Sequence, residues 1–165
     1  MDFGIAFASY IRSWEDVKRA EDYGFSHAWF YDSHMLYSDV YASMALAAEH
    51  TSRIKLGTLV SILGNRIAPV TAHSIATINE LAPGRVILGV GTGFTGRNVM
   101  GMPPITLKTM REHVEVELNL LHAGTGKVHG FAEFPFRRVE RRAGHFQAGQ
   151  YLGRVKTRIV RRRWD

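Results

Sequence analysis

Pro83-Gly-Arg-Val-Ile-Leu-Gly-Val-Gly-Thr-Gly-Phe-Thr-Gly96 is a short apolar run that ends in spaced glycines. Val86, Ile87 and Leu88 follow one another without polar alternation, which reads as a strand buried on both faces. The glycines leave its carboxyl end bare of side chains. Backbone that bare at a strand end is expected to have something docked against it. A turn that needs glycine only for tight packing is the plainer alternative.

Three strand candidates precede this one, each followed by a helix. Phe3–Ala8 is the first strand, and Ser13-Trp-Glu-Asp16 resembles a capping box opening the first helix, which Gly24 ends. His27–Tyr31 is the second strand, closed by Asp32. Ser38 or Asp39 caps an alanine-rich helix running to about His50. Ile54–Ile62 is the third strand. Pro69 opens a third helix that reaches Leu81, where Pro83-Gly84 stops it. Arg85–Val90 is the fourth strand. Leu107–His122 forms a helix with Met110, Val114, Leu118 and Leu121 at helical spacing. Strand starts at 3, 27, 54 and 85 repeat at the pitch of a βαβ crossover, which makes a parallel sheet. The fold class is therefore α/β, either a doubly wound open sheet or a (β/α)8 barrel. A full barrel needs ~250 residues, and this chain has matter for about half of one.

The composition is that of a globular protein, with 45% apolar and 22% charged residues. No apolar run reaches the ~18 residues that would span a membrane, and no secretory signal opens the chain, so a cytoplasmic protein is expected. There is no cysteine, which excludes disulfides and thiolate metal sites. The net charge of +6 is unevenly distributed. Residues 1–133 hold 11 Lys+Arg against 13 Asp+Glu, whereas residues 134–165 hold 10 against 2. The body shows no nucleic-acid footprint.

Several segments could carry chemistry. Gly91-Thr-Gly93-Phe-Thr-Gly96 matches the dinucleotide pattern G-x-G-x-x-G. A true fingerprint opens a helix directly and has an acidic residue ~20 positions on, after the next strand. Here Met102-Pro103-Pro104 interrupts, and Glu115 and Glu117 lie inside a helical pattern, so a backbone floor for a flat ring or a phosphate is the better functional reading. Asp32-Ser-His34 directly follows the second strand. His34 could exchange a proton with a bound ring, oriented by Asp32. Equally, Asp32 could cap a turn and His34 lie on the surface; position alone leaves both open. Gly57-Thr-Leu-Val-Ser61 is small and β-branched, which suits a flat ligand and also an ordinary interior strand. Arg66 reads as an exposed loop arginine, with a grip on phosphate or carboxylate as the alternative. Trp29, Phe30 and Tyr31 read as core. His27, His34, His50 and His73 lack paired ligand spacing, so no metal is expected.

In combination these segments resemble the luciferase-like monooxygenase superfamily, flavin- and deazaflavin-dependent oxidoreductases built on a TIM barrel. The residues that carry the resemblance are Tyr31-Asp-Ser-His34, Ser52-Arg-Ile-Lys-Leu-Gly-Thr58, the stretch from Arg66 through Asn79-Glu-Leu-Ala-Pro-Gly-Arg85, and Leu88-Gly-Val-Gly-Thr-Gly93. The branch with enzymes similar to methylenetetrahydromethanopterin reductase is the nearest in pattern. The resemblance implies a partial (β/α)8 barrel of about four N-terminal βα units over residues 1–123. It implies coenzyme F420 as the favoured cofactor, or FMN, lying over the carboxyl ends of the strands. Leu59-Val60 matches the position of a non-prolyl cis peptide behind the ring. Leu59, Val60, Ser61, Gly91, Thr92 and Gly93 would bind the cofactor, and His34 and Asp32 would be catalytic. The reaction would be hydride transfer to or from a small-molecule substrate. Phe94 stands where relatives can carry an acidic residue.

Residues 124–165 depart from that pattern. Their arginines, glycines and scattered aromatics sustain no period, and the expectation is an atypical tail, frame-shifted or disordered. Ala132–Phe136 and Thr157–Val160 are candidates for a short fifth strand. Binding of nucleic acid or an anionic surface by this basic stretch is the rival reading. A fragment that keeps the fold without activity is a third. A four-unit half barrel is expected to bind cofactor weakly and turn over little; a homodimer that rebuilds eight strands is the alternative.

Overall fold

The computed structural model describes residues 1–123. The basic stretch, its two candidate strands and its rival binding role lie outside the described residues. In chain order the elements are β1 (Gly4–Phe7), α1 (Ser13–Asp22), β2 (His27–Phe30), α2 (Val40–His50), β3 (Lys55–Thr58), β4 (Ser61–Ile62), a 3-10 turn (Leu63–Asn65), α3 (Ala68–Leu81), β5 (Val86–Ile87), β6 (Val90–Gly91), α4 (Phe94–Val99) and α5 (Leu107–Ala123). Among the described residues, no helix is long and apolar enough to cross a membrane.

Among the described residues every strand pairing is parallel. The main sheet has the order β1-β2-β3-β5, and β4 pairs with β6. The order follows the sequence without reversal, and α1, α2, α3 and α5 each pack on the next. An open doubly wound sheet would reverse its order at a switch point. Sequential order with helices in series is instead barrel geometry, and it removes the dinucleotide-fold reading.

The core lies between the sheet and these helices. Phe30, Met44, Leu56, Ile75 and Val86 are all fully buried there. On the opposite face Trp29 lies across two glycines. A Cβ at Gly4 would come within 2.7 Å of its ring nitrogen, and one at Gly57 within 2.5 Å of its ring carbons. Of the three aromatics expected in the core, only Phe30 is fully buried; Trp29 and Tyr31 are half-buried.

Two strands predicted as continuous are interrupted, and at matching positions. The third strand breaks between Thr58 and Ser61, where the Leu59–Val60 peptide bond is cis, as the resemblance implied. The fourth breaks at Leu88-Gly89. The Thr58 hydroxyl bridges the gap, donating to the Gly89 carbonyl at 2.7 Å and accepting from the Gly89 N–H at 2.9 Å. The Ser61 N–H donates to the same carbonyl at 2.7 Å. A Cβ at Gly89 would sit 2.3 Å from the Thr58 carbonyl oxygen, so only glycine lets the strands approach this closely.

One helix start differs from expectation, and the other is settled between its two candidates. Ser13 makes no cap; Arg12 holds that position without a side-chain bond, and the Ser13 hydroxyl is buried without a partner. Asp16 bonds instead to the Tyr10 hydroxyl. Asp39, rather than Ser38, caps α2 by accepting from the N–H groups of Tyr41 and Ala42 at 2.9 and 3.0 Å. The short helix α4 was not read from the sequence. It opens directly after Gly93, whose φ of 83° is left-handed.

Candidate active site

The carboxyl ends of β2, β4 and β6 border a cleft of about 490 Å³. Its lining includes Asp32, Leu59, Val60, Gly91, Thr92 and Gly93 from the predicted set, together with Tyr31, Ser33, Tyr37, Ile62 and the first turn of α4. Leu59 is 46% and Phe94 72% exposed, so the cleft presents apolar surface to whatever enters it. Large exposed apolar side chains in a concave site are a mark of ligand binding. Tyr31, Asp32, Ser33, Tyr37, Thr92 and Thr95 bring polar groups to the same lining.

The glycines serve this cleft indirectly. A Cβ at Gly91 would come within 2.3 Å of a Val60 methyl, and one at Gly93 within 2.3 Å of an Ile62 methyl. A Cβ at Gly96 would meet Ile62 at 2.5 Å and the Ser33 backbone at 3.2 Å. What docks on the bare strand end is thus, first of all, the protein's own bulge at Leu59–Ile62. The glycines seat that bulge, and the bulge presents Leu59 and Val60.

Two predicted residues do not line the cleft. Ser61 is fully buried, with its hydroxyl 2.7 Å from the Tyr41 hydroxyl. Burial pushes the Tyr41 hydroxyl up to about 12, although Ser61 and Arg66 favour its ionised form. His34 sits beside the cleft on the loop after β2, with its side chain 27% exposed. Its Nδ1 is 3.0 Å from Asn65 Nδ2 and 3.7 Å from Asp32 Oδ1, beyond hydrogen-bond reach of the carboxylate.

Asp32 is instead held by Arg66, so the exposed-loop reading of that arginine fails, and the carboxylates it grips are the protein's own. The guanidinium is only 11% exposed and donates to Asp32 at 2.7 and 3.1 Å and to Asp39 at 2.9 Å. It also lies 4.7 Å over the Tyr41 ring. Asp32 Oδ2 accepts from the Ile62 N–H as well, at 2.9 Å. Two ion pairs on Arg66, with the Ile62 N–H bond, therefore tie the end of β2, the cap of α2 and the end of β4. Burial works against charge on Arg66, but the Asp32 contacts outweigh it and hold the guanidinium protonated. Burial likewise raises Asp39, while the Ala42 N–H and Arg66 bring it below the usual carboxylate range. Sequence reading missed this clamp because Asp32 and Arg66 are far apart in the chain; only the strand order makes them neighbours.

The sequence profile of the luciferase-like monooxygenases matches residues 10–149. The chain belongs to this family. A 5,10-methylenetetrahydromethanopterin reductase of Archaeoglobus fulgidus is 36% identical over 137 residues, which cover 79% of the chain and 40% of that protein. The solved structure of a coenzyme F420 dependent tetrahydromethanopterin reductase from Methanopyrus kandleri superposes with a TM-score of 0.65 at 29% identity, over 78% of this chain and 42% of that one. An FMN complex of the oxygenating constituent of 3,6-diketocamphane monooxygenase from Pseudomonas putida superposes at 0.57 and 18% identity, over 74% and 38% of the two chains. That likeness is one of fold. This luciferase-like chain thus spans less than half the length of these relatives, and its parallel sheet is part of their barrel.

Proposed function

We propose that this chain forms the cofactor-bearing part of an F420-dependent oxidoreductase, with FMN as the alternative cofactor. The observation that carries the reading is the exposed Leu59-Val60 surface in a cleft at the carboxyl ends of parallel strands. The residues present fit a planar ring. The cleft volume lies in the range of small-molecule sites, and its lining combines the apolar Leu59, Val60, Ile62 and Phe94 with hydroxyl-bearing side chains and Asp32. When bound, the cofactor would supply the hydride chemistry. The chain's own contribution is position. Leu59 and Val60 offer a face for the ring, and Gly91 and Gly93, having no side chains, let Val60 and Ile62 seat closely beneath it. Asp32, clamped by Arg66, acts as a positioning residue that fixes Ile62 and hence the height of the floor. His34 offers a hydrogen-bonding group at the margin. The names of the relatives favour a methylene-bearing reduced pterin as the small-molecule substrate.

Fluorescence titration of the full chain with F420 and with FMN tests this reading. Saturable binding in the tens-of-micromolar range or weaker, tighter for F420 than for FMN and lost in Leu59→Asp, is expected. No saturable response up to the solubility limit, or one unchanged by Leu59→Asp, contradicts it.

A further inference from the structure

The side chains behind His34 fix which of its ring nitrogens carries the proton. Arg97 Nη1 donates to Asn65 at 2.9 Å, and also to the Gly64 carbonyl at 2.7 Å, while Arg97 Nε donates to the Pro103 carbonyl at 2.6 Å. A guanidinium has only donors, so the Asn65 atom that meets it is the carbonyl oxygen, and the amide cannot turn over. The other end of that amide is an NH2 group, again only a donor, and it lies 3.0 Å from His34 Nδ1. Nδ1 must therefore accept. The competing attraction is weak, because the Asp32 carboxylate, 3.7 Å away, is already bonded to Arg66 and the Ile62 N–H.

We infer that Arg97 and Asn65 are positioning residues that hold His34 as the neutral imidazole with its proton on Nε2. The basic nitrogen is closed by Asn65, and the remaining ring nitrogen is a donor. His34 then serves a ligand as a hydrogen-bond donor, suited to a carbonyl or ring-nitrogen acceptor, and not as a resting base. This last step rests on the cofactor reading above; the assignment of the proton does not.

Long-range proton–nitrogen correlation spectra of the 15N-labelled full chain, recorded without cofactor at about pH 8, where histidine is ordinarily neutral, test the assignment. The His34 signals are recognised by their loss in His34→Gln. Nδ1 is expected unprotonated and Nε2 protonated. Asn65→Asp keeps the shape but turns the donor into an acceptor, and it is expected to move the proton to Nδ1. A wild-type ring protonated at Nδ1 overturns the inference whether or not the variant folds, as does a folded variant with an unmoved proton. With the proton moved, F420 affinity is expected to fall about tenfold, the worth of one hydrogen bond; unchanged affinity removes the donor role. If the wild type binds no F420 at all, the cofactor reading fails while the spectrum still reports the tautomer.

Discussion

Glu117→Gln should flatten the dependence of stability on pH. Glu117 sits at the centre of the buried face of α5, against α3, and is only 2% exposed. Sequence periodicity puts Met110, Val114, Leu118 and Leu121 on that face and Glu117 within the helix, without marking the glutamate as buried. Neither carboxyl oxygen has a hydrogen-bond partner. Burial pushes the group from 4.5 up to about 7, and the Thr71 hydroxyl nearby offsets part of this without forming a well-aligned bond. The folded state therefore holds a proton that the unfolded chain has released between these values. Stability from this group is full below about pH 4.5 and is lost as pH rises through about 7. At 1.36 kcal/mol per unit the loss approaches roughly 3 kcal/mol by pH 8. Urea unfolding of the wild type and of Glu117→Gln, at several values from pH 4.5 to 8, isolates the contribution, because all other titrating groups are shared. The gap between the two stabilities should shift by that amount in favour of glutamine as pH rises. Parallel stability curves would refute the argument that this carboxyl is buried without compensation.

Other perturbations follow from the same contacts. Gly89→Ala forces a methyl to within 2.3 Å of the Thr58 carbonyl and should cost about 1–3 kcal/mol, read by thermal or urea unfolding. Arg66→Met leaves Asp32 buried without its cation and should cost ~3–5 kcal/mol. Asp39→Ala, which removes the α2 cap but only an exposed end of the clamp, should cost about 1 kcal/mol.

The fold was legible because its signals are local. Periodicity, Gly24, Pro69 and Pro83-Gly84 bound the helices correctly, and the apolar runs mark the strands. The break at Leu59-Val60 came only from the family resemblance and the one at Gly89 not at all, because the contact of Gly89 with the Thr58 carbonyl forms only once the two strands pair. The site was legible at the level of strand ends. Leu59, Val60 and Gly91–Gly93 line the cleft as expected, although the glycines answer to Val60 and Ile62 before any ligand. The groups that orient Asp32 and His34 could not be read off. Arg66, Asn65 and Arg97 reach them across the strand order, and an isolated arginine in a loop carries no mark of its partner. The helix α4 was hidden by brevity, because six residues show too little of a helical period.

The most direct test of the cofactor site is to map F420 contacts on the full chain by amide chemical-shift perturbation. The account predicts saturable changes concentrated at Leu59–Ile62 and Gly91–Gly96, with Leu59→Asp removing them. Changes confined to residues 134–165, with the amides of the cleft unmoved, would contradict it.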